Sequence, residues 1–429
     1  MRFLLTHFRF ALAAVIAFAF ITGAIVWLSP SNSALSPQEA NWLRYFPRDY
    51  LESRNHFRED CERHLASSSD FCRRFYVASP TDPDLTIDYG FFTEGGDRLL
   101  VLQSGIHGSE AATGAAVQEL VFRKFLSRLL KRHIDVLFIH ALDPYGFKYV
   151  RRTDEFNVNL NRNFVIGANY HNLRNPDYER LRSLFEPKGP VSSAWGSSLS
   201  VYWNFLVQLF SDRFDSTSLS NGLDSGQYSH PDGINFGGVQ PSQQVAFLRA
   251  TLSPIFATPY KKIIFLDFHT GLGRDGELAV IKGIEPPPQL MREFAGLIGG
   301  HESDGIVIHS GGDAGFFPTS GDVIDFVPTL ATSPSGRVLA LTMEYGSMGS
   351  DVASQLDSAA RIILENETHY YPCDASHEAP CVKIRSNFQE MFYPSTDVWR
   401  VKVMREAELV FSLLLTWETP TTSSARPQH

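Results

Sequence analysis

The chain has 429 residues, 43% of them hydrophobic and 13% aromatic, enough apolar material for one large domain or two ordinary ones. A formal charge of −9 argues against a nucleic-acid partner, because phosphate backbones select basic surfaces. With no internal repeat and no long low-complexity tract, the sequence reads as a folded, mildly acidic protein.

The N-terminus is different in kind. Residues 10–28, FALAAVIAFAFITGAIVWL, carry no charge and follow Arg2 and Arg9. A hydrocarbon core of about 30 Å needs roughly 20 apolar residues as helix, so this segment is long enough to span a bilayer. Basic residues before it and none just after it place the N-terminus in the cytoplasm and the rest of the chain outside it. Its apolar length favours an uncleaved anchor over a signal peptide, for which "SNSA" (31–34) is a weak cleavage site; cleavage would make the protein secreted. The expected organisation is a cytoplasmic stub and signal-anchor helix at 1–30, a stalk rich in Ser, Pro and Asn at 31–50, a catalytic domain at 51–417 and a disordered polar tail at 418–429.

The four cysteines fall into two close pairs, Cys61 with Cys72 and Cys373 with Cys381. In an oxidising compartment they read as two short disulfide loops, although four cysteines allow three connectivities and free thiols are the plain alternative. Neither pair has the spacing of a structural zinc site. Asn366, Glu367 and Thr368 match a glycosylation acceptor, a pattern that chance often supplies.

Along the domain, "DRLLVLQSG" (97–105) reads as a strand entering a glycine loop, and 109–130 as an amphipathic helix. "IDVLFIHALDP" (134–144) is the next buried strand. "KKIIFLDFHTGLG" (261–273) and "GRVLALTMEYGS" (336–347) repeat the arrangement of an apolar strand running into a glycine turn. Between them, 174–187 and 193–211 look helical and 221–238 reads as glycine-rich loop. Strands alternating with helices imply an α/β sheet covered on both faces, in which ligands collect beyond the carboxyl ends of the strands. Three separate strands deliver His or Glu to that edge.

His107 and Glu110, three positions apart after the first of these strands, could supply two ligands to a metal, with Gly105 and Gly108 allowing a tight turn. Alone, an H-x-x-E pair is weak, and a polar pair at a strand end is an equal reading. His269, at an equivalent strand end, supplies the third ligand that a hydrolytic zinc needs. Asp267 lies on the same side of its strand and reads either as a group orienting His269 or as a satisfied core carboxylate. Glu344 follows an apolar run that requires no carboxylate, so it reads as a general base, the bland alternative being a solvated strand terminus. The stretch "YVRRTDEFNVNLNRNF" (149–164) gathers Arg151, Arg152, Asn161 and Arg162, donors suited to carboxylates and oxyanions, where a surface basic loop is the plain alternative.

Taken in order, H-x-x-E, "DPYGF" (143–147), the arginines, "LNRNF", a strand-end His and a strand-end Glu resemble the zinc carboxypeptidase superfamily, including its aspartoacylase and succinylglutamate desuccinylase branch. "SGQYSHPDGINFGG" (225–238) and "DFHTGLG" are similar to an uncharacterised carboxypeptidase-like subfamily. Asp143 stands where asparagine is usual. The resemblance implies a mixed, mostly parallel eight-stranded sheet with helices on both faces. It implies His107, Glu110 and His269 as zinc ligands, Glu344 as base, and Asn161 and Arg162 on the substrate carboxylate. Either Arg151 or Arg152 would steady the oxyanion, the spacing of "RRT" tilting toward Arg151. The substrate-capping tyrosine and the specificity-pocket residue have no match.

The function expected is hydrolysis of an amide or peptide bond next to a carboxylate, on a peptide or N-acyl amino acid. An aspartoacylase-like deacylase and a non-catalytic binding protein of the same fold are the alternatives.

Overall fold

A computed structural model describes residues 35–186, 188–191, 193–209, 216–301, 304–310, 319–331, 335–349, 351–373 and 378–417. The strands, in chain order, are β1 (Phe71–Tyr76), β2 (Thr86–Phe92), β3 (Arg98–Ser104), β4 (Ile134–His140), β5 (Lys262–Gly271), β6 (Leu278–Lys282), β7 (Ile306–Ser310) and β8 (Val338–Gly346). They form one sheet in the order β1-β2-β4-β3-β5-β8-β6-β7. Pairings β3–β4, β3–β5, β5–β8 and β6–β7 are parallel and the other three antiparallel, so the sheet is mixed and mostly parallel, as expected.

The parallel centre follows from composition. Every residue of β3, β4 and β8 is buried, and successive side chains of a strand face opposite ways, so both faces of the sheet are covered. Each buried Leu, Ile, Val or Phe there contributes on the order of 2 kcal/mol. Helix Ala111–Leu120 packs on β3 and β5, and the long helix Asp397–Leu414 packs on that helix in turn. Trp399, fully buried, donates its indole N–H to the Gly346 carbonyl at 2.8 Å and ties the last helix to the end of β8.

Several expectations need correction. Residues 35–50 are not a stalk: Ser36 caps a helix, Pro37–Trp42, with a reciprocal capping box, and Trp42, Tyr45 and Phe46 enter the main core. The apolar segment 10–28 and the tail 418–429 lie outside the described residues. Among the described residues no helix is long and apolar enough to cross a membrane. Asn221–Asp224, read as loop, forms the end of a helix, Ser216–Asp224. Cys61 is bonded to Cys72 and Cys373 to Cys381, as their spacing suggested. Asn366 is 3% exposed and donates to the Asp232 carbonyl, so the folded protein hides the acceptor pattern.

Candidate metal centre

The carboxyl ends of β3, β5 and β8 share one edge of the sheet, and the site is built there. Beyond β3 the chain reverses at Gly105, whose φ of 70° suits glycine, and His107 opens a single turn, Gly108–Glu110. A Cβ on Gly108 would stand 2.0 Å from the Gly146 carbonyl carbon, so only glycine lets the turn settle against that backbone. Asp143 caps the neighbouring helix, Pro144–Tyr149, by accepting the Gly146 N–H at 2.9 Å. Burial, with Asp154 adding repulsion, pushes its carboxyl well above the usual range, toward the neutral form that resembles asparagine.

The side chains converge. His107 Nδ1 lies 2.9 Å from Glu110 Oε1, and His269 Nδ1 lies 3.3 Å from Glu110 Oε2. One donor atom from each of His107, Glu110 and His269 lies within 4.8 Å of the others, and all three residues are buried. The parallel register places Glu344 of β8 directly beside His269 of β5, with Glu344 Oε2 4.0 Å from His269 Nδ1.

Each outer nitrogen is held in place. His107 Nε2 bonds Asn159 Oδ1 at 3.0 Å, and His269 Nε2 bonds Asp267 Oδ2 at 2.7 Å. Asp267 accepts in addition from Gln103 Nε2 at 3.0 Å, so it orients His269 rather than serving only as a core carboxylate. Both inner nitrogens thus point at one place. Glu110 is steadied by the Thr270 N–H at 3.0 Å, and Glu344 by the Leu272 N–H at 2.8 Å.

Burial and mutual charge shift every group of the cluster. Burial pushes the His107 imidazole down to about 4, with Arg152 and His269 adding repulsion and Glu110 opposing them. Burial also opposes charge on Glu110, but His107 and His269 outweigh it and hold that carboxyl below its ordinary range. His269 is raised well above its usual value against the pull of burial, by Asp267 and Glu110. Glu344 is pushed up to about 8, first by burial and then by repulsion from Glu110. The Glu110 carboxylate between two imidazoles forms a mixed N/O donor set that fits a divalent cation of zinc's character.

The arginines divide, and the tilt toward Arg151 is corrected. Its guanidinium is turned to Glu365, with Nε 2.9 Å from Oε1, and to Asn157. Arg152 is the one whose charge is felt at both His107 and Glu344. Its guanidinium stands 5.7 Å from the Phe392 ring centre, with a buried Nε that has no partner. Asn161 is engaged at both ends of its amide, donating to Asp322 Oδ2 at 3.3 Å and accepting the Val323 N–H at 3.0 Å. Arg162 is buried and donates to the carbonyls of Asp224 and Asn161. Asn159 escaped sequence reading. Its signal lay in the asparagine-rich run "NVNLNRN", two positions before Asn161.

Residues 46–406 match the family model described as "Protein of unknown function (DUF2817)". No curated protein matches the chain. Among solved structures, the chain is similar to carboxypeptidase A from Helicoverpa armigera at 13% identity, covering 80% of this chain and 73% of that one, with a TM-score of 0.42. It is similar to bovine thrombin-activatable fibrinolysis inhibitor at 14% identity, covering 77% and 98%, with a TM-score of 0.43. For a succinylglutamate desuccinylase from Silicibacter sp. TM1040 the values are 15% identity, 72% and 68% coverage, and a TM-score of 0.35. At such values likeness carries no functional weight, which rests on the side chains themselves.

Proposed function

We propose that this chain, which belongs to the DUF2817 family, is a zinc-dependent hydrolase that cleaves an amide or peptide bond adjacent to a carboxylate. The observation that carries this reading is the convergence of His107, Glu110 and His269 on one point, with Glu344 at its rim.

His107 and His269 through Nδ1, and Glu110 through its carboxylate, would hold the metal. Zinc bound there supplies Lewis acidity to a carbonyl and lowers the pKa of water. Asn159 and Asp267 keep the imidazoles aimed. Glu344 takes a proton from the attacking water and delivers it to the leaving nitrogen, a role suited to a carboxylate whose neutral form is stabilised by burial. Arg152 steadies the oxyanion that develops on the scissile carbonyl. Arg162, with Asn161 fixing the loop beside it, receives the substrate carboxylate. The substrate is a peptide end or an N-acyl amino acid.

The reading includes a tether. The uncharged segment 10–28 behind Arg2 and Arg9 fits a single-pass anchor, and the two disulfides fit an extracytoplasmic domain.

The test is substrate profiling of zinc-loaded protein with short peptides and N-acyl amino acids, beside Glu344→Gln as control. Peptide cleavage lost in the control supports the reading, and cleavage of N-acyl amino acids alone moves it to a deacylase. One bound zinc with no hydrolysis of either set turns the assignment to a binding protein.

A further inference from the structure

Arg151 takes no part in the chemistry above, yet it is buried, and burying a guanidinium is costly unless it is bonded. Its Nε donates to Glu365 Oε1 at 2.9 Å, and its Nη2 to Asn157 Oδ1 at 3.0 Å and Asn366 Oδ1 at 3.4 Å. Asn157 is anchored in turn, donating to the Pro231 and Gly233 carbonyls. Glu365 is 6% exposed and lies on the helix Val352–Tyr370, 214 positions from Arg151. Buried ion pairs often add little net stability compared with packed apolar residues, so a pair kept here calls for another purpose.

The backbone of Arg151 supplies one. Its carbonyl accepts the N–H of Ser109 at 2.8 Å, and Ser109 lies between His107 and Glu110. Its own N–H donates to the Gly146 carbonyl at 2.8 Å, and Gly146 is the backbone against which Gly108 presses. The turn that carries two of the three metal donors therefore rests on a platform of Gly146 and Arg151. The far end of that platform is the Glu365 carboxylate. Arg152, the cation facing the site, is the next residue along it.

We infer that Glu365 is a positioning residue for the metal centre. By fixing the Arg151 guanidinium it fixes the carbonyl that holds Ser109, and with it the aim of His107 and Glu110. The inference rests on the metal reading proposed above, and its experiment separates the two. Zn2+ affinity of the purified protein is measured by chelator competition, and the visible spectrum of the Co2+ form is recorded, for wild type, Glu365→Gln and Arg151→Lys. Thermal melts of the metal-free forms run in parallel. Asp88→Asn serves as a control, since it weakens another buried carboxylate, one bonded to Arg58 and Thr86 rather than to Arg151.

Glu365→Gln is expected to weaken Zn2+ binding about tenfold and to shift the Co2+ spectrum, the lower end of what lost support around a metal ligand costs. Asp88→Asn is expected to lower the melting temperature while leaving affinity and spectrum alone. Wild-type affinity and spectrum in Glu365→Gln overturn the inference and leave the metal reading standing. A wild-type protein that binds no Zn2+ overturns both. Should Glu365→Gln not fold, Arg151→Lys, which keeps the positive charge but removes the guanidinium that Glu365 and Asn157 hold in place, is judged on the same two readouts. Weakened binding supports the inference, and unchanged binding overturns it.

Discussion

Glu344 and His269 stand opposite each other in the β5–β8 register, with Glu344 Oε2 4.0 Å from His269 Nδ1, while Glu344 Oε1 is fixed by the Leu272 N–H. A carboxylate so placed is near the metal donors but is not one of the three that converge. Glu344→Gln is therefore expected to keep full metal content and lose about 10²- to 10⁴-fold in kcat, the range a general base contributes. Metal analysis beside steady-state kinetics checks it. Metal loss in Glu344→Gln would make Glu344 a ligand and sink the assignment of its role.

His269 and Asp267 give the complementary case. Asp267 Oδ2 bonds the outer nitrogen of His269 at 2.7 Å, so its charge sets which nitrogen carries the proton and which is free. Asp267→Asn can still accept that bond but holds it less strongly. Metal affinity is expected to fall roughly 10- to 100-fold with little loss of folding cooperativity. His269→Ala should abolish stoichiometric binding altogether. Equal affinity in Asp267→Asn and wild type, measured by chelator competition, would reduce Asp267 to a packing role.

How much of this was legible beforehand depends on burial and distance. Strands β3, β4, β5 and β8 announced themselves because both of their faces are apolar, and residues at or just past the ends of three of them, β3, β5 and β8, are those that the fold brings together. β1 has the partly exposed sequence "FCRRFY", and β6 and β7 are five residues each, so neither pattern nor length set them apart. The adjacent arginines could not be assigned because what separates them, Glu365, arrives from a helix 214 positions away. Asn159 was hidden for the same reason, since its partner His107 lies 52 positions earlier. The folded part of 35–50 was misread because Ser36 and Pro37 look like linker until Trp42 and Phe46 meet the core.

Arg152 provides a test of the division between the two arginines. Its buried, unpartnered Nε and the effect of its charge on Glu344 fit the oxyanion role proposed for it. Arg152→Ala is expected to lower kcat about 10²-fold with KM changed only a few-fold and metal retained, the signature of a group acting in the transition state. A rise in KM with kcat intact would instead assign Arg152 to ground-state binding.

Glu406 lies outside the site and is expected to make stability depend on pH. It is 4% exposed, with Oε2 buried and unpartnered. Burial pushes its carboxyl up to about 9, with Glu277 and Asp275 adding repulsion and Lys402 opposing. The native state therefore keeps a proton that the unfolded chain releases near 4.5. The contribution of this neutral group is fully present below about pH 4.5 and is lost progressively as pH rises through about 9. Glu406→Gln is neutral at every pH and does not suffer that loss. Wild type and Glu406→Gln are expected to unfold alike in urea near pH 4. The substituted protein should be the more stable by on the order of 2 kcal/mol at pH 8, a discounted figure for a shift of several pKa units. A stability difference that stays flat from pH 4 to pH 8 would show that Glu406 ionises freely in the native state.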